Sequence, residues 1–165
     1  MEHKRLSEIL EENRGVLNLI PVFVPRRFGT CGRRLRLHPD DYFALGTKRG
    51  SIKERWFSSV ICAMNGPEAE PDEGMSYVNV TGGVEGKISL KEFVDTLGAE
   101  IIGERLYEKY HTWPMYSKFF DYEGPLFHHV HLDFEAAARV GKLGKPEAYY
   151  FLRQFFRNVI VALFK

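Results

Sequence analysis

Cysteine is scarce in this chain. Cys31 and Cys62 are the whole complement, too few for a disulfide framework or a cysteine-rich zinc fold. Long apolar runs are missing as well. The run VIVALF at 159–164 is six residues, against the ~20 that a membrane span needs. The opening MEHKRLSEILEEN is charged and lacks the apolar core of a secretory signal. No membrane partner and a cytoplasmic home are therefore the expectation. Neither sign of charge dominates: 23 Lys and Arg face 22 Asp and Glu, a net charge of +1. That balance argues against a wholly basic nucleic-acid binder. No internal repeat or low-complexity linker interrupts the chain, so residues 1–165 are read as a single domain.

What the chain does have is aromatic surface. Thirteen Phe, eight Tyr and two Trp bring the aromatic share to 14%, and such residues favour strands and large buried areas. Fifteen Gly and eight Pro supply turns. The expected fold is mainly β with a helical insert around 89–110. A short helix is predicted over 4–14, with Leu6, Ile9 and Leu10 at helical spacing and Gly15 as its stop. VLNLIPVFV at 16–24 reads as extended, because Pro21 opposes a helix. Strands are predicted at 33–37, 55–64 and 76–80, with an acidic Pro/Gly loop at 65–74. Ser89 and Glu92 form a capping-box pattern ahead of Leu90, Phe93, Val94 and Leu97, and Gly98 suits the helix end. A second helix is expected over 100–110. Strands then follow in MYSKFF, LFHHVHL and EAYYFL, with a helical turn at 133–140.

The chemistry gathers near the end. Three of the six histidines are His128, His129 and His131. On a strand, residues i and i+2 share a face, so His129 and His131 project together and His128 points away. Two imidazoles so placed can share one metal ion. A carboxylate would complete a two-histidine, one-carboxylate set with positions left open. Glu135 and Glu147 are the two candidates, and Glu135 reads better as a solvated residue on a helical turn. In Gly144-Lys145-Pro146-Glu147, Lys145 and Glu147 are also i and i+2.

Other signals are weaker. Five arginines and no acid lie between Arg26 and Arg36, read as a solvated face of strand and loops and not as a nucleic-acid patch. The segment TGGVEGK at 81–87 lacks the spacing of a phosphate loop. Cys31 and Cys62 lack a catalytic partner signature.

The ordered motifs resemble the class I mannose-6-phosphate isomerases of the cupin superfamily. Lys118, in YSKFFDYEGPLFHHVHLD, matches that family's strand lysine at the family's own spacing from its metal-binding strand. The family's Gln-x-His-Pro strand falls on His129 to Leu132, and its G-K-T/P-E segment falls on Gly144 to Glu147. GKISLKEF, ERWFSS and WPMYSKFFD are similar to further segments, so the resemblance spans about 30–150 and leaves 152–165 as an atypical tail. It implies a cupin-like jelly roll, a double-stranded β-helix. It also implies a divalent metal, zinc, held by His129, His131 and Glu147, with Lys118 and Lys145 as candidate catalytic groups. The implied reaction moves a proton between C1 and C2 of a sugar phosphate, mannose 6-phosphate to fructose 6-phosphate, with the metal polarising the carbonyl.

The sequence departs from the pattern in places. His129 stands at the family's Gln, Phe127 at a substrate-contacting Ser, and Leu132 at the Pro. No histidine follows His131, whereas the family's second barrel half supplies another metal histidine and an arginine. The expectation is an incomplete barrel, a truncated or frame-shifted product with background turnover that self-associates through open strand edges. A non-catalytic cupin that binds metal or a partner is the alternative. So is a metal-dependent oxygenase, since two histidines and a carboxylate also suit non-haem iron; Lys118 and GKPE favour the isomerase.

Overall fold

The computed structural model describes residues 2–80 and 87–150. They form two compact units, the first reaching Leu126 and the second starting at Phe127.

The first unit opens with helix α1 (Glu2–Glu12), which buries Leu6 and Ile9. The predicted stop holds: Gly15 has φ 76° and its N–H bonds back to Leu10 O at 2.8 Å, a left-handed close that glycine takes without a Cβ penalty. Strands β1 (Leu19–Ile20) and β2 (Val22–Arg26) flank Pro21, as the extended reading required. Strand β3 covers Ser51–Phe57, earlier than the predicted 55–64. Ser58 has φ 50° and turns the chain out of the sheet. Ser59 N–H then bonds to Ser76 Oγ at 2.9 Å. Strands β4 (Tyr77–Val78) and β5 (Ile88–Ser89) precede helix α2 (Leu90–Leu97).

Helix α2 carries the full capping box. Ser89 Oγ accepts from Glu92 N–H at 3.1 Å, and Glu92 Oε2 accepts from Ser89 N–H at 3.4 Å. The helix predicted over 100–110 is instead two pieces, α3 (Ala99–Ile102) and α4 (Glu104–Tyr110). Gly103, with φ 79°, separates them. Strand β6 (Ser117–Phe120) ends the ladder.

The strands make two three-stranded antiparallel sheets, β1-β4-β5 and β2-β3-β6. Leu6, Ile9, Val78, Ile88, Phe93 and Leu97 join α1 and α2 to the first sheet in one apolar cluster. Val24, Trp56 and Ala63 make a separate cluster on the second. The fold is thus mixed, helices beside two small sheets, and not mainly β; among the described residues the strands do not close a barrel.

The strand predicted at 33–37 is a turn. Arg33 and Arg36 have φ 60° and 55°. The buried Asp121 carboxylate accepts the N–H groups of Arg34 and Leu35, both at 2.9 Å. A carboxylate taking successive amides favours a turn over a ladder. Residues 65–74 are a loop, as expected.

The second unit contains helix α5 (Phe134–Ala138), inside the predicted helical turn. LFHHVHL is not a strand, and neither are residues 147–150 of EAYYFL. Lys145 N–H bonds to Leu132 O at 3.1 Å, tying the GKPE turn to the end of LFHHVHL. Phe151 and Leu152, VIVALF and most of TGGVEGK lie outside the described residues. None of the described helices is long and apolar enough to cross a membrane.

Candidate metal centre

Helix α5 brings the histidine segment and the GKPE segment together within the second unit. Asp133 caps the helix, its Oδ1 accepting from Ala136 N–H at 2.8 Å. The chain turns back after Ala138, and Gly144 passes so close to Phe134 that a Cβ would meet its backbone nitrogen at 2.6 Å. That approach requires glycine. Lys145 and Glu147 follow at once.

The result gathers the expected ligands. One donor atom from each of His129, His131 and Glu147 lies within 4.8 Å of the other two. The His129 and His131 rings are 5.0 Å apart, centre to centre, so the pair shares a side without a ladder to enforce it. His128 is not in the group; the strand whose alternation set it apart in sequence does not form here. Glu135 is not in it either; it is exposed on α5 and pairs with Arg139 at 2.6 Å.

The donors could hold a divalent cation. Ligand atoms around a zinc at about 2.1 Å sit about 3.4 Å from one another, and His131 Nε2 is 3.1 Å from Glu147 Oε1. His129 Nδ1 lies 2.9 Å from the Phe127 carbonyl. If that nitrogen carries the proton, Nε2 keeps its lone pair, the usual arrangement for a metal-binding imidazole. Burial works to raise the Glu147 pKa, but hydrogen bonds from Lys145 and Tyr149 outweigh it and hold the carboxyl below its ordinary value. A ligand carboxylate must be ionised, so this shift favours metal.

Lys145 enters more closely than spacing alone predicted. Its Nζ is 2.8 Å from Glu147 Oε1 and 3.3 Å from His131 Nε2. These are the same two atoms a metal would use, so ammonium and metal contend for them. Tyr149, unmentioned by the sequence reading, donates to Glu147 Oε2 at 2.9 Å. Its position two residues after Glu147 was the available signal.

Lys118 belongs to the first unit. It lies on β6, paired across the ladder with Trp56, and its Nζ is 3.5 Å from Glu54 Oε2. Glu54 is 2% exposed and collects donors. Arg26 reaches it twice, at 3.0 and 3.1 Å; Trp56 Nε1 lies at 2.7 Å and Tyr122 OH at 2.6 Å. Burial pushes its pKa up, yet the Arg26 hydrogen bonds and charge, with Lys118 and Tyr122, bring the carboxyl below its ordinary value. Sequence reading quoted Glu54 within ERWFSS but gave it no role, although Glu54 and Trp56 are i and i+2 on β3.

Comparison with family models, with curated proteins and with solved structures finds no match to this chain.

Proposed function

We propose that the chain holds a divalent metal, zinc by the family resemblance, on His129, His131 and Glu147. We further propose that this centre serves aldose–ketose isomerisation of a sugar phosphate, with mannose 6-phosphate and fructose 6-phosphate as the pair the resemblance implies. The gathering of three donors within 4.8 Å, from two segments that sequence spacing had already singled out, carries the reading. A cupin jelly roll is the architecture that goes with it.

When bound, the metal supplies a Lewis acid for the substrate carbonyl. The chain's own residues do the rest. Glu147 and the two imidazoles orient the centre. Lys145, a point charge beside Glu147, suits donation of hydrogen bonds to substrate oxygens. Lys118 enters through its match to the family's strand lysine alone.

Metal analysis of the full chain, followed by a coupled isomerase assay on mannose 6-phosphate, tests both parts. Near-stoichiometric zinc and turnover that a chelator abolishes support the reading. Zinc without turnover above background would leave a non-catalytic metal binder. Absence of zinc binding would overturn both.

A further inference from the structure

The second unit gathers its metal donors where its own apolar packing is thin. Helix α5 has five residues, and isolated helices below about 12 residues are marginal in water. No strand forms among the described residues from Phe127 onward. Among those residues Ala137 is the one that is buried. Val130, Phe134, Val140 and Leu143 are each more than half exposed. Burial of apolar area is the main favourable term in folding, and a small unit that buries little usually takes a disulfide, a metal or a partner. Cys31 and Cys62 both lie in the first unit, so a disulfide within the second is ruled out.

The donors stand on either side of α5. His129 and His131 precede the helix and Glu147 follows it, yet one atom from each lies within 4.8 Å of the other two. A metal on those atoms closes the chain around α5 and joins the histidine segment to the GKPE turn. The same joint carries polar bonds: Lys145 N–H to Leu132 O at 3.1 Å, His131 to Glu147 at 3.1 Å and Lys145 Nζ to Glu147 at 2.8 Å. Ion pairs open to water stabilise little. A ligand set assembled only in the folded chain instead adds the free energy of metal binding to that of folding.

We propose that a metal on His129, His131 and Glu147 is the clip that holds the second unit closed, a structural duty besides any part the metal takes in chemistry. This duty rests on the metal-binding half of the proposed function and is independent of the isomerase half.

Amide hydrogen exchange of the full chain in chelator and in zinc, read on peptides by mass spectrometry, tests it. Peptides over 128–133 and 143–147 are compared with one over 90–97 in α2, and a calorimetric titration supplies the zinc Kd. With free zinc at about ten times that Kd, a unit that binds only when closed opens about tenfold less often. Exchange in both second-unit peptides should slow by that factor, with exchange in α2 unchanged. His131→Ala and Glu147→Gln should abolish the slowing, and His128→Ala should keep it. Zinc that binds in the titration yet leaves second-unit exchange unchanged overturns the clip, needs no variant, and leaves the metal site standing. Equal slowing in α2 also overturns the clip, because the protection then belongs to the whole chain. Slowing that persists in both ligand variants overturns it too. A chain that takes up no zinc overturns the metal reading and the clip together.

Discussion

His131 Nε2 lies 3.1 Å from Glu147 Oε1, although a helix and a turn separate the two residues in sequence. An imidazole nitrogen and a carboxylate oxygen at that separation can share a proton or share a metal. A third donor, from His129, lies within 4.8 Å of both, so the group could hold a metal ion. His131→Ala and Glu147→Ala should each cut the zinc content of the purified chain sharply, because each removes a ligand. His128→Ala should leave it unchanged. Elemental analysis reads all three, and equal loss in all three would refute the grouping.

Lys145 shares both of those atoms, at 2.8 and 3.3 Å. A positive charge there opposes a divalent cation. Lys145→Met should raise zinc affinity severalfold by calorimetric titration while lowering isomerase turnover. Weaker zinc binding in that variant would show that the lysine supports the ligands instead of competing with the metal.

Glu54→Ala should destabilise the first unit by about 3–5 kcal/mol, since it leaves Arg26 buried beside an empty place. Its pH signature has a definite direction. The folded carboxyl titrates below its ordinary value, so its contribution is fully present above the unfolded value of about 4.3 and is lost as pH falls through the folded pKa. Urea unfolding of the unaltered chain should weaken on acidification below about pH 4.3. Glu54→Gln should lower stability at neutral pH and flatten that acid slope.

Ser89→Ala should cost ~1 kcal/mol by removing the acceptor for the Glu92 N–H. Glu92→Ala should cost less, since the reciprocal bond to Ser89 N–H is longer, at 3.4 Å. Denaturant midpoints at neutral pH distinguish the two. A larger loss for Glu92→Ala would reverse the order of the two cap bonds.

What sequence alone determined was local. Ser89, Glu92 and the apolar positions between Leu90 and Leu97 specify α2 because cap and stripe both act within a few residues. Gly15 ends α1 for a similarly local reason. His129 and His131 were legible as a pair because i and i+2 positions can share a side even where a ladder does not form. Other features depend on distant contacts. LFHHVHL has strand composition, yet a strand exists only when a neighbouring segment takes its amides and carbonyls, and this segment joins neither of the described sheets. Arg33 to Leu37 turns because Asp121, far along the chain, accepts two of its amides. Choosing Glu147 over Glu135 required the turn after α5 and the close passage of Gly144 past Phe134. Glu54 became visible only when antiparallel pairing set β2 and β6 on either side of β3 and brought Arg26, Lys118 and Tyr122 to one carboxylate. A buried charge needs partners to be tolerated, and here those partners come from distant points of the sequence.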